Sequence, residues 1–389
     1  MRTMSGIKHL FEPLELVIRD SLLPILFNQQ GFTDLERELM SLPAKHGGLG
    51  IFNPVEICDQ EYSNSINATK PIVSAIHQQK VLLDNDEFTK CTSEIKSAKS
   101  SIRSVKTVKY HAQRARIKGL LPPDLQRNLS NLWEKGVSSW LTSLPLVDFG
   151  FILNKTEFQD ALRLRYVKPL ANIPKNCACG KTNSIDHSLS CKMGGFVSLR
   201  HNQVRDLEAG MLSEVCKDVV VEPHLAPLTG ERFFHKTANT SSEARLDVSA
   251  RGLWNTMDKT FVDVRVFHHE CPSNNKLEIG SAYKKHEGEK KRGYNARVLN
   301  VEKATFTPLV FSTHGGMGKE AEAFHKRLAS LIATKRGQLY SDVMSFVRRR
   351  LRFCILRSCL AAIRGYRGKP CFVDSSADIN LIPEDRGYF

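Results

Sequence analysis

Four metal-ligating side chains fall within fifteen residues of this chain, in the pattern Cys177-x-Cys179-x7-His187-x3-Cys191. Thiolate and imidazole are the donors that zinc prefers, and four of them close a tetrahedral structural site with no position left for water. Gly180, Gly194 and Gly195 punctuate a stretch too short to bury a core of its own. A metal is therefore expected to organise it, with His201 as a candidate substitute ligand. The remaining cysteines, of ten in all, do not suggest disulfides, because the first twenty residues break their apolar run with Lys8, Glu12, Glu15 and Arg19 and so lack an export signal. No apolar run is long enough to span a bilayer, so no membrane partner is expected.

The net charge of +15 on 389 residues is unevenly placed. Lys99–Lys118, Lys284–Lys303 and Lys335–Lys369 together carry 24 Lys or Arg against four acids, which leaves the rest of the chain slightly acidic. Three such blocks point to a shared polyanionic partner, a nucleic acid.

The rhythm of the chain divides it. Residues 1–90 read as helices with short breaks, and residues 91–118 as a polar, basic helix or linker ended by Pro122-Pro123. Residues 125–168 carry the aromatic and aliphatic residues of packed helices. From 200 onward helical spacing over Arg200–Asp218 is followed by short β-branched runs at 219–221, 246–250 and 261–267. A basic helix over 281–304, a strand at 307–311 and helices over 318–335 and 341–364 complete an α/β core with a small mixed sheet.

Asp247 and Asp263 each lie in an expected strand, where neighbouring strands could bring both carboxylates to one sheet end. Paired carboxylates hold Mg²⁺ or Mn²⁺ for phosphodiester hydrolysis. Glu208 and Glu214 on the preceding helix are candidates to complete the shell. Lys290 or Lys291 could orient water and offset charge developing on phosphate. Arg200, His201, Lys284, Lys285, Arg292, Tyr294, Arg348, Arg349 and Arg350 are candidate nucleic-acid contacts. His268-His269-Glu270-Cys271 reads as a polar loop, because adjacent side chains on an extended chain diverge. Gly315-Gly316-Met317-Gly318-Lys319 lacks the first Gly and the Ser/Thr of a phosphate loop, and reads as a strand-to-helix turn.

The arrangement resembles the restriction-like, PD-(D/E)xK-type endonuclease at the C-terminus of site-specific non-LTR (LINE-type) retrotransposon proteins. There a Cys/His knuckle directly precedes the nuclease, as Cys177 to Cys191 does here, and the run Arg200-His201-Asn202-Gln203-Val204-Arg205-Asp206 is similar to the lead into its first helix. The resemblance implies that Asp247 is the first acid, Asp263 the second, and that the lysine sits on the following helix in a Lys-x-x-Tyr setting. Lys291-Arg292-Gly293-Tyr294 matches that setting, with Lys290 the near alternative. Leu246 stands where a Pro is common, and Arg265 where simpler nucleases keep their lysine. Leu42-Pro43 to Gly47-Gly48-Leu49-Gly50 resembles the thumb and connector that follow the polymerase, whose Tyr-x-Asp-Asp site this sequence lacks.

The resemblance thus implies a helical thumb/connector-like region (1–120), a helical linker (121–175), a zinc knuckle (176–200), a restriction-endonuclease-like α/β core (201–336) and a basic C-terminal helix and tail (337–389). It implies structural zinc, catalytic Mg²⁺ or Mn²⁺, and a nuclear endonuclease acting on DNA. The element's RNA and the missing polymerase portion are its further partners. The alternative is a nucleic-acid-binding remnant without turnover.

Overall fold

The computed structural model describes residues 1–79, 85–170, 172–365 and 367. The expected tail beyond 367 lies outside the described residues. The N-terminal region is built from short helices, α1 (Glu12–Val17), α2 (Leu23–Phe27) and α3 (Asp34–Ser41), then the long α4 (Pro54–His77) and α5 (Asn85–Leu120), α6 (Pro123–Leu132) and α7 (Lys155–Arg165). Local chemistry starts several of them. Thr33 and Glu36 form a reciprocal capping box at α3, Asn154 and Glu157 another at α7, and Asn53 caps α4. In the turn after α3, Gly47 holds φ +97°, and a Cβ on Gly48 would collide with the Leu42 carbonyl.

Helices α8 (Ile185–Ser190) and α9 (Phe196–Ser213) lead into a four-stranded sheet: β1 (Lys217–Val221), β2 (Val248–Arg251), β3 (Lys259–Phe267) and, after α10 (Ile279–Asn300), β4 (Thr305–Ser312). Strand order follows chain order, with β1–β2 and β2–β3 antiparallel and β3–β4 parallel across the α10 crossover. Helices α11 (Lys319–Arg336) and α12 (Tyr340–Arg364) follow. The fold is mixed α/β, as expected, and the element order after residue 200 matches the sequence reading.

Side chains alternate along β3. Val262 and Val264 join the core formed with α9, α11 and α12, whereas Phe261 and Phe267 pack toward α10. A second core gathers α2, α3, α6 and α7. Helix α12 belongs to both. Leu351, Ile355 and Cys359 enter the first core, and Phe353, Leu356 and Leu360 enter the second.

This placement changes the meaning of the third basic block. Arg352 is buried and donates to the Val137 carbonyl at 2.9 Å, and Arg364 forms a two-pronged pair with Asp160 at 2.6 and 2.7 Å. Arg357 donates to the Ile152 carbonyl. The block expected as a basic terminal helix is largely an internal wall whose arginines satisfy carbonyls and acids of this chain. Among the described residues no helix is long and apolar enough to cross a membrane.

A polar seam ties the helical part to the sheet. Asn128, Asn131 and Glu134, spaced three apart, meet His314, His269 and Tyr283 at 3.1, 3.0 and 3.1 Å. His268 and His269 lie in the loop after β3, as read from the sequence, and are buried anchors there. The 315–319 turn is the strand-to-helix connection expected. Truncating the fully buried Leu356 to Ala should lower stability by about 2–5 kcal/mol, read as a drop in the urea midpoint. An unchanged midpoint would show that α12 does not bind the two cores together.

Candidate functional site

The Cys/His segment folds on its own short turns. Gly180 holds φ +85°, with its N–H donating to the Cys177 carbonyl and the Cys177 N–H to the Lys181 carbonyl. Ser184 caps α8 by accepting the His187 N–H, which fixes His187 at the first turn of that helix and Cys191 at its end. All four ligand atoms lie within 4.8 Å of one another. The Sγ atoms of Cys177 and Cys191 are 3.9 Å apart, and Cys179 Sγ is 3.3 Å from His187 Nε2. A Zn–S bond of about 2.3 Å in a tetrahedron requires S···S separations of about 3.8 Å. The cluster can hold a metal such as zinc without His201, which lies elsewhere.

His201 instead donates from Nε2 to Asp247 Oδ1 at 2.9 Å. Asp247 immediately precedes β2, and the Val248–Val262 register places it directly opposite Asp263 on β3. Opposed residues of an antiparallel pair share one face, so the register alone brings the carboxylates together. Asp247 Oδ2 accepts the Val264 N–H at 2.5 Å. Burial works to raise the Asp247 carboxyl, but His201, Asp263 and the Val264 N–H outweigh it and hold the group below its usual range. Asp263 is pushed up to about 7, chiefly by burial, with Asp247 adding to the shift and Lys290 opposing it. Two carboxylates this close do not both ionise without a cation or a shared proton.

Helix α10 supplies that cation. Lys290 Nζ lies 2.8 Å from Asp263 Oδ2, whereas Lys291 points to Glu320 at 2.6 Å. Of the two lysines weighed from the sequence, the one at the carboxylates is Lys290. Arg265, two residues beyond Asp263, pairs with Glu289 at 2.7 Å.

The expected glutamates do not join the pair. Glu208 is wholly buried and accepts from His325 Nε2 at 2.9 Å. Glu214 faces Arg336 and Arg350. Glu208 shares the buried face of α9 with Val204, Met211 and Leu212, and Glu214 caps that helix, so neither reaches the carboxylate pair. Among the described residues the Cys/His cluster is the one group of three or more such ligands drawn together.

The expected nucleic-acid contacts divide similarly. Arg200 is buried and donates to the Leu189 carbonyl at 3.0 Å, so it is a structural residue, fixed by the need to satisfy a buried guanidinium. Arg348 approaches Glu322 at 3.8 Å, Arg349 donates to the Ser345 carbonyl at 3.3 Å, and Arg350 lies 3.8 Å from Glu214. Lys284, Lys285 and Arg292 are exposed on α10, while Tyr294 is half-buried and accepts from the Asn239 amide. The first basic block lies on α5, where Lys99, Arg103 and Lys109 are exposed and Arg114 stacks on Trp133.

The chain matches no protein-family model and no curated protein.

Two measurements probe this geometry. Cys191→Ser should abolish bound zinc by atomic absorption, and undiminished zinc would exclude the cluster as its site. Asp263 has its carboxyl raised in the fold from 3.8 to about 7, so the stability it contributes is complete below about pH 4 and is lost as pH rises through about 7. Without added divalent cation, the urea midpoint of the wild type should therefore fall more between pH 5 and pH 8 than that of Asp263→Asn. Equal falls would contradict the raised pKa.

Proposed function

We propose that the protein is a metal-dependent DNA endonuclease related to the restriction-like nuclease region of non-LTR retrotransposon proteins. One observation carries the reading: Asp247 and Asp263 stand opposite each other on adjacent strands, with Lys290 on Asp263. Their oxygen donors suit Mg²⁺ or Mn²⁺, and a divalent cation would offset the burial, and the lesser repulsion from Asp247, that raise Asp263. Such a cation supplies Lewis acidity and a water nucleophile at neutral pH.

The protein's own groups do the rest. Asp247 is held by the Val264 N–H and His201, so its carboxylate is oriented before metal arrives. Asp247 and Asp263 would hold the cation, and Lys290, 2.8 Å from Asp263, would orient water and offset charge developing on the phosphate. His201 acts on Asp247 as a positioning residue. The exposed cations of α5 and α10 bind the DNA backbone, and the Cys177–Cys191 segment serves as a zinc knuckle beside the site. Asp186 on that segment accepts from His268 at 2.9 Å, which links the knuckle to the end of β3.

Among the described residues no third carboxylate joins the pair, which favours a second reading, a nucleic-acid-binding protein that no longer turns over. Plasmid nicking with Mg²⁺ or Mn²⁺ separates the two. Under the endonuclease reading wild-type protein nicks, Asp263→Ala abolishes nicking, Lys290→Ala lowers its rate by about 10²–10³-fold, and Lys291→Ala leaves it within a few-fold. Salt-sensitive DNA binding without nicking by the wild type would establish the second reading.

A further inference from the structure

The connection between β1 and β2 is a long loop closed at its base beside Asp247. The Glu222 N–H donates to the Asp247 carbonyl at 2.8 Å, and the Leu225 N–H to the Ala244 carbonyl at 2.9 Å. These bonds extend the strand pairing past the sheet and leave residues 226–243 as the loop beyond it.

The loop is firmly anchored. Arg297 of α10, wholly buried, donates to the Asn239, Ser241 and Ala226 carbonyls at 2.9, 2.8 and 2.9 Å. The Asn239 N–H donates to the Gly293 carbonyl, and its amide to Tyr294. Beneath it, Leu225, Ala244 and Leu246 pack on Phe261 and Val298. A buried guanidinium that binds three carbonyls of one loop fixes that loop against the helix carrying Lys290.

What the anchored loop presents is unusual. Phe234 is 93% exposed, the most exposed of the chain's large apolar side chains described, and His235 sits edge-on to it at 5.2 Å. Arg232, His235 and Lys236 are exposed around it, and among the described residues neither Arg232 nor Lys236 has an ion-pair partner. The nearby Glu231 is tied into its own turn by the Thr229 N–H at 2.7 Å and hydroxyl at 3.1 Å. A bare aromatic face with free cations beside it is complementary to a nucleic-acid strand. Every base offers a π-face to the ring, and the cations meet the flanking phosphates.

We infer that loop 226–243 is a DNA finger, on which Phe234 stacks an unpaired or frayed base beside the Asp247–Asp263 site while Arg232 and Lys236 hold the adjoining phosphates. The inference rests on the endonuclease reading for the identity of the strand. It adds that the preferred substrate is locally unstacked DNA, because a ring can stack only on a base whose face is open.

Fluorescence anisotropy of the full chain, without added Mg²⁺, tests this with two probes of equal length. One is a continuous duplex, and the other carries a short unpaired stretch containing 2-aminopurine. Phe234→Ala should weaken binding to the unpaired probe by roughly 5- to 100-fold, remove its 2-aminopurine quenching, and change duplex binding less than about twofold. Phe234→Trp should restore both signals. Because the ring is exposed, the thermal midpoint should not move. The inference is overturned if Phe234→Ala binds the unpaired probe as wild type does, if both probes weaken equally, or if the wild type binds neither, as a finger for a protein partner would. The two readings fail separately. Nicking with an inert Phe234 removes the finger alone, and Phe234-dependent stacking without nicking removes the endonuclease alone.

Discussion

Burial of α12 along two flanks is the constraint on which the rest of the molecule depends. Its Leu351–Ile355–Cys359 side completes the core under the sheet, and its Phe353–Leu356–Leu360 side completes the core of the N-terminal helices. Neither region closes its apolar interior without this helix. The polar seam of Asn128, Asn131 and Glu134 then fixes how the two regions meet, since buried polar groups tolerate only the register in which their partners are present. The carboxylate pair and the exposed cations of α5 thus belong to one packed body.

Within that body the site is organised by β2–β3 register. A slip of one residue would turn Asp263 into the aliphatic core in place of Val262 and Val264, where an acid could not remain. The hydrophobic alternation of β3 therefore keeps Asp263 on the face away from that core, and the observed register sets it opposite Asp247. Helix α10 adds Lys290 on one side and, through Arg297, secures the 226–243 loop on the other. One helix thus couples the proposed catalytic cation to the proposed substrate contact.

Much of this was legible residue by residue. The spacing of Cys177, Cys179, His187 and Cys191 announced a ligand cluster, because short-range turns suffice to gather it. The β-branched runs and helical periods after 200 gave the element order. Lys290 could also have been preferred to Lys291, since Tyr283, Lys290, Tyr294 and Arg297 follow one helical face. The run Arg232-Phe233-Phe234-His235-Lys236 held an aromatic–basic signal that attracted no expectation. By contrast, His201 meets Asp247 across 46 positions and Glu208 meets His325 across 117, and no local pattern encodes such contacts.

The sequence by itself determined the mixed α/β class, the ligand cluster and the candidacy of the two aspartates, because each depends on local spacing and side-chain chemistry. Tertiary structure alone decided which charges are available. Arg200, Arg352 and Arg364 look like surface cations in the sequence, yet the fold buries or pairs them, while Phe234 looks like core and stands in solvent. The reason is physical: residue type sets what burial costs, but only packing decides which groups are buried and whether a partner waits for them.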